Sequence, residues 1–146
     1  SYITSKLYIA AAEKPPIQDQ AGYESLTYVE IGLVMNIPAM GDTHADIPID
    51  TLSEGRVMHV IGSADGGAAE LTHATLSGDP GQAALIAVNG SNIQNAFKIV
   101  DPEPTNETLY FCASVSSLKD TPRETGAYKG KTFTLNVNTP VLRINP

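Results

Sequence analysis

Apolar and polar residues alternate with a period of two through much of the second half of this chain. In Thr108–Ser117, Leu109, Phe111, Ala113 and Val115 alternate with Tyr110, Cys112 and Ser114. Lys131–Val137 sets Phe133, Leu135 and Val137 against Thr132, Thr134 and Asn136, and Asn95–Val100 is a shorter strand-like run. A period of two places alternate side chains on opposite faces of a strand, so each run predicts a strand with one face in a core. The first half is less regular. Leu7–Ala12 predicts a strand that Pro15 and Pro16 end. Thr27–Val34 puts Val29, Ile31 and Leu33 on one face and Tyr28 and Glu30 on the other. Val57–Ile61 and Ala69–Leu76 predict two more strands, separated by a turn over Gly62–Gly67.

One segment has the helical period instead. Asp79 is a good N-cap, Pro80 suits the first helical position, and Gln82 stands three residues after the cap. Ala84, Leu85 and Val88 share a face, and Asn89-Gly90 supplies a left-handed stop. This predicts a helix over about residues 80–89. Residues 36–54 show no sustained period and contain Pro38, Gly41 and Pro48, so a long loop is expected there. Residues 1–6 read as an arm and 139–146 as an extended tail. Six or seven strands and one helix predict a mainly β fold in one domain spanning 1–146. Its expected form is a two-sheet β-sandwich or barrel with one flanking α-helix.

Composition narrows the chemistry. The chain has 146 residues, 16 acids against nine Lys and Arg, a net charge of −7, and 17% charged residues. Nucleic-acid binding needs a basic patch, and the densest basic cluster is Lys129-Gly130-Lys131. One cysteine, Cys112, allows no internal disulfide. No apolar run approaches the ~18 residues of a membrane span, and the opening residues show no secretory signal. Leu109-Tyr110-Phe111-Cys112 looks like the second-cysteine strand of an immunoglobulin domain, but the chain has no second Cys and no Trp. His44, His59 and His73 lack zinc-site spacing. The glycines near Asp79 form no phosphate loop, because the P-loop pattern is missing. Asp42, Asp46 and Asp50 do not match a calcium loop. Asn106-Glu107-Thr108 fits the glycosylation pattern, a chance match without a secretory signal. No cofactor, metal or catalytic constellation is expected. A monomeric β-sandwich module that binds a carbohydrate or a protein is the other class the pattern allows.

A set of marks in the second half has a family character. Asp79-x-Gly81-Gln82-x-Ala84-Leu85 opens the helix, and Phe97-x-Ile99 follows it. Phe111-x-Ala113-x-Val115-Ser116-Ser117-Leu118 and Thr132-Phe133-Thr134-Leu135-Asn136-Val137 close the series. In order and spacing they resemble the major tail tube protein of long-tailed, siphovirus-type bacteriophages. The resemblance implies a structural virion protein that is not an enzyme. It implies two packed sheets with a flanking helix, six copies in a ring, and stacked rings forming the conduit for DNA ejection. It places an inter-ring loop at about 36–54, with Ile37, Met40, Asp42, Asp46, Ile47 and Asp50 as candidate contacts. Glu30, Glu54 and Glu70 become candidate lumen-facing acids. The implied partners are further copies of the chain, a tape measure protein and tail tip or terminator proteins. DNA would pass without specific binding, and no membrane is involved. The implied location is the virion tail, assembled in the cytoplasm of a bacterial host.

Overall fold

The alternating runs of the second half form strands in the computed structural model, which describes residues 4–13, 19–51, 55–103 and 106–145. The elements in chain order are β1 (Lys6–Glu13), α1 (Gln20–Glu24), β2 (Tyr28–Glu30), β3 (Val34–Asn36), β4 (Thr43–Thr51) and β5 (Arg56–Asp65). They continue with β6 (Ala68–Ala74), α2 (Pro80–Val88), β7 (Asn95–Val100), β8 (Thr108–Asp120), β9 (Gly130–Val137) and β10 (Leu142–Ile144). Eight strands form one antiparallel sheet in the order β2-β1-β7-β8-β9-β6-β3, with β10 beside β8; β4 and β5 form a second, two-stranded sheet. The long strand β8 carries β7 along Thr108–Ala113, and β9 along Ala113–Asp120 on its other edge. β2 and β3 end the path, yet only Ile31, Gly32 and Leu33 separate them. The sheet therefore curls round until its ends meet, as the expected sandwich or barrel requires.

The inward residues are those the alternation selects. Leu7, Ile9, Phe97, Ile99, Leu109, Phe111, Ala113, Val115, Phe133, Leu135 and Val137 form one buried cluster, to which α2 adds Leu85. Phe97 and Phe111, opposite each other on β7 and β8, stack with centroids 5.3 Å apart. A smaller cluster lies on the outer face of β1, β7 and β8, where α1 brings Tyr23 against Ala10, Ala96, Tyr110 and Cys112. The Tyr23 ring stacks on Tyr110 at 5.2 Å, and the Tyr28 hydroxyl donates to the Tyr23 carbonyl at 3.0 Å. Burial raises the Tyr23, Tyr28 and Tyr110 pKa values above the ordinary 10. Above pH 10 the unfolded phenols ionise while these stay neutral in the fold, which favours the unfolded chain; stability is therefore full below pH 10 and is lost as pH rises from there toward the folded values. A urea series between pH 8 and pH 11.5 is expected to show constant stability up to about pH 9.5 and a decline above it. The decline is expected to be shallower in Tyr28→Phe.

The helix-opening motif has a structural reason at each position. The Asp79 carboxylate accepts from the Gln82 N–H at 3.0 Å and from the Gly32 N–H at 3.1 Å. A Cβ on Gly81 would overlap the carbonyl oxygen of Glu30, so α2 packs backbone to backbone against the end of β2. Gln82 is buried; its Oε1 accepts from the Leu76 N–H, and its Nε2 donates to the carbonyls of Gly32 and Ala74. One helix turn thus ties the two ends of the curled sheet together.

The structure departs from the sequence reading in several places. Thr27–Val34 is not one strand: it breaks at Ile31–Leu33, where Gly32 serves α2 and Leu33 turns outward, 52% exposed at φ +54°. The expected loop 36–54 contains β4, which pairs with β5, and β5 runs on through Gly62–Asp65 to a turn at Gly66-Gly67. A second short helix, α1, adds to the one expected; Asp19 caps it. The tail 139–146 includes β10, and the arm 1–6 gives Lys6 to β1, with residues 1–3 outside the described residues.

Besides Asn92, Asn106 and Asn145, two non-glycine residues among those described hold left-handed backbone. Leu33 has φ +54°, and Ser117 has φ +57° at a bulge where β8 gains one residue on β9. An L-residue there is strained by roughly 1–2 kcal/mol. Leu33→Gly and Ser117→Gly are each expected to raise unfolding free energy by about 0.5–1 kcal/mol in urea titrations. At an ordinary strand position the same change lowers it.

Candidate assembly surface

The β4–β5 hairpin stands apart from both core clusters. Its register sets Ile47 opposite Val60, Pro48 opposite His59, Ile49 opposite Met58 and Asp50 opposite Val57. Directly opposed residues share a face of a sheet. One face therefore carries Ile47, Ile49, Met58 and Val60, with Arg56 at its tip end; the other is mixed, with Asp46, Asp50 and His59 beside Pro48 and the exposed Val57 and Ile61. The four apolar residues are 43–48% exposed. An isolated two-stranded hairpin is marginal in water, and a contiguous bare apolar face marks a contact surface. The opposite face is held by little: Asp46 meets the His59 ring at 2.9 Å with both side chains in water, a contact of small worth. Where β5 passes into β6, Gly67 adopts φ +72°, and a Cβ on Gly66 would lie 2.6 Å from the Val137 carbonyl oxygen. The hairpin thus leaves the body tight against the end of β9.

The candidate inter-ring residues divide into two groups. Ile37 and Met40 are half-buried against this chain's own core. Arg143 Nη2 donates to the Met40 carbonyl at 3.3 Å, which fixes that segment to β10. Asp42 is half-buried and lines a cavity of about 210 Å³ with Asp65 and Asn138. Asp46, Ile47 and Asp50 are exposed on the hairpin. Sequence reasoning missed Ile49, Met58 and Val60. Their signal was the spacing Ile47-x-Ile49 and Met58-x-Val60, obscured by Pro48, which a free strand edge tolerates.

The candidate lumen acids also separate. Glu30 is exposed on the outer face of β2–β1–β7, with Tyr8, Tyr28 and Lys98. There the Lys98 ammonium lies 4.8 Å from the Tyr8 ring centroid. Glu70 is exposed on the outer face of β6–β9–β8, and Glu54 lies outside the described residues. The face bearing Glu70 is built of short polar side chains: Thr72 opposite Thr132, Glu70 and Ser116 opposite Thr134, and Ser114 opposite Asn136. Neighbouring groups bond laterally, Asn136 Nδ2 donating to Ser116 Oγ at 3.2 Å. Lys119, opposite Thr132, ends the row. Beyond it, Asp120 is exposed and held below the usual carboxylate range by hydrogen bonds from Lys131 and Arg123. Among the described residues, no group of three or more His, Cys, Asp or Glu is placed to hold a metal ion. No described helix is long and apolar enough to cross a membrane.

No protein-family model matches the sequence. No curated protein matches it either. Solved structures do share its fold. A chain of the sheath/tube terminator of an extracellular contractile injection system, PVC, in the extended state aligns over 99% of this chain and 95% of its own, with TM-score 0.68 and 11% identity. A chain of the anti-feeding prophage cap, a tube-terminating cap, aligns over 99% and 91%, with TM-score 0.62 and 10% identity. The SPP1 tail tube aligns over 95% and 75%, with TM-score 0.60 and 14% identity. At these identities the likeness is one of fold, and the fold is tail-tube-like: a curled antiparallel sheet, a short helix across its seam and a second, projecting hairpin.

Proposed function

We propose that the chain is a structural subunit that assembles with copies of itself into a tail-type tube. The observation that carries this reading is the hairpin, whose apolar face the chain itself does not cover. The fold shared with tube and tube-terminator structures supports it. A heterologous contact between copies closes a ring when its rotation fits, and an uncovered sheet edge finds a partner in the next copy. Stacked rings of six, a tape measure protein within, terminator proteins at the end and a place in a virion tail built in a bacterial cytoplasm belong to the same proposal. The test is sedimentation velocity across a concentration series. Growth from the monomer to ring-sized and larger species is expected. A strict monomer at all concentrations would overturn the reading.

Within a tube, we assign the Glu70 face to the channel wall. Most of its side chains are short hydroxyls and amides, which offer phosphates little cationic grip, and its one Lys, Lys119, stands at the end of the row. Glu30 shares its face with Lys98 and bulky tyrosines, a poorer wall. Thr134→Lys, at the centre of the face, is expected to leave tubes intact and make them retain duplex DNA at about 50 mM salt, with release by about 200 mM. Wild-type tubes are expected to retain none. Equal retention by both would move the channel to another face.

A further inference from the structure

The segment 34–40 crosses the open end of the curled sheet without filling it. A cavity of about 710 Å³ remains beneath it. Ile99 and Leu109 form its floor, and Val34, Ile37 and Met40 form its apolar side. Its rim is charged. Glu107 is taken by Arg143 at 2.9 Å. The Asp101 carboxylate accepts only a hydroxyl proton, from Ser5 at 2.9 Å, and has no cationic partner among the described residues. The volume lies in the range that holds a drug-sized ligand, which a few side chains from the end of a strand pair would also fill.

The hairpin tip offers matching chemistry. Ile49 and Met58 are exposed there on one face, and Arg56 follows on the same face. Arg56 has no carboxylate partner among the described residues. A chain cannot fill its own cavity this way. The hairpin starts at Thr43, three residues beyond Met40 on the cavity's side. Its tip pair, Thr51 opposite Arg56, lies eight residues further along β4. At about 3.3 Å per residue that is roughly 26 Å away for as long as the strands stay paired.

We infer that the cavity under residues 34–40 receives the hairpin tip of a second copy, with Met58 and Ile49 on the apolar floor and Arg56 paired to Asp101 at the rim. This rests on the reading of the chain as a self-assembling tube subunit. Because donor and acceptor lie at different places on one molecule, the contact is heterologous and repeats. Each copy gives a tip and takes one, which is the arrangement that propagates a stack. A charged pair at the rim fixes register, and the apolar floor supplies the burial.

The experiment is a charge exchange read by sedimentation and by electron microscopy of polymer length. Arg56→Asp and Asp101→Arg are each expected to raise the concentration needed for polymer at least tenfold. The double exchange is expected to bring it back within about threefold of wild type. A companion measurement mixes Arg56→Cys protein with Asp101→Cys protein under mild oxidation and looks for a cross-linked pair of twice the chain mass. The cross-link needs no buried charge and so stands even if Asp101→Arg folds poorly. Wild-type-like polymer from both single exchanges, or loss in the singles with no recovery in the double and no cross-link, overturns the docking. In either case wild type still polymerises, so the tube reading survives. A wild type that never polymerises sinks both.

Discussion

Gly81→Ala is expected to destabilise the chain by about 3 kcal/mol or more. The added methyl would collide with the Glu30 carbonyl oxygen, which is backbone and cannot rotate away. Relief requires the whole first turn of α2 to lift from β2. Lifting it pulls buried Gln82 away from Leu76, Gly32 and Ala74, so the overpacking strain comes with several broken buried hydrogen bonds. A domain of this size has a stability of roughly 5–15 kcal/mol, so the loss is a large share of it. Gln82→Leu keeps the bulk, takes their side-chain partner from the Leu76 amide and the Gly32 carbonyl and leaves the Ala74 carbonyl only the His73 ring; it is expected to fall short of wild type by a comparable amount. Urea denaturation with a helix-sensitive probe measures both. A loss under 1 kcal/mol for Gly81→Ala would mean that α2 is not clamped at the seam.

The paired change Ile47→Asp with Val60→Asp is expected to do the opposite: leave folding stability within about 0.5 kcal/mol and abolish assembly. The two residues face each other on the uncovered side of the hairpin and touch neither core cluster. In the monomer both new carboxylates stay in water. In an assembled tube they would have to be desolvated, at several kcal/mol each. Since every 1.4 kcal/mol is tenfold in an equilibrium constant, association should weaken at least about a thousandfold. Asp46→Asn with Asp50→Asn, on the opposite face, is the control and should assemble. Tubes from the Ile47/Val60 variant would mean that this face is not a contact.

What the sequence disclosed follows from where burial constrains it. β7, β8 and β9 were legible because one face of each is in the core, and a one-residue slip would expose every apolar side chain. The α2 cap was legible from Asp79-Pro80, since capping is local chemistry. Gly81 was not: an N-terminal helical glycine looks neutral until the Glu30 carbonyl lies against it. The break at Ile31–Leu33 was hidden because the alternation runs on through Gly32, while the demand on Gly32 comes from Asp79, 47 residues away. α1 was too short to show a period. The hairpin was the largest miss. Pro48 and the acids made its β4 half read as loop, because its apolar face answers to no core within the chain. For the same reason Ile37 and Met40 seemed free for a neighbour, whereas they close this chain's own sheet end.

Negative-stain electron microscopy of the concentrated wild-type protein decides whether this chain is a tube subunit. Rings with a central hole, stacked into tubes of uniform width at high concentration, are expected. Discrete single particles of monomer size, unchanged by concentration or time, would contradict the tube reading.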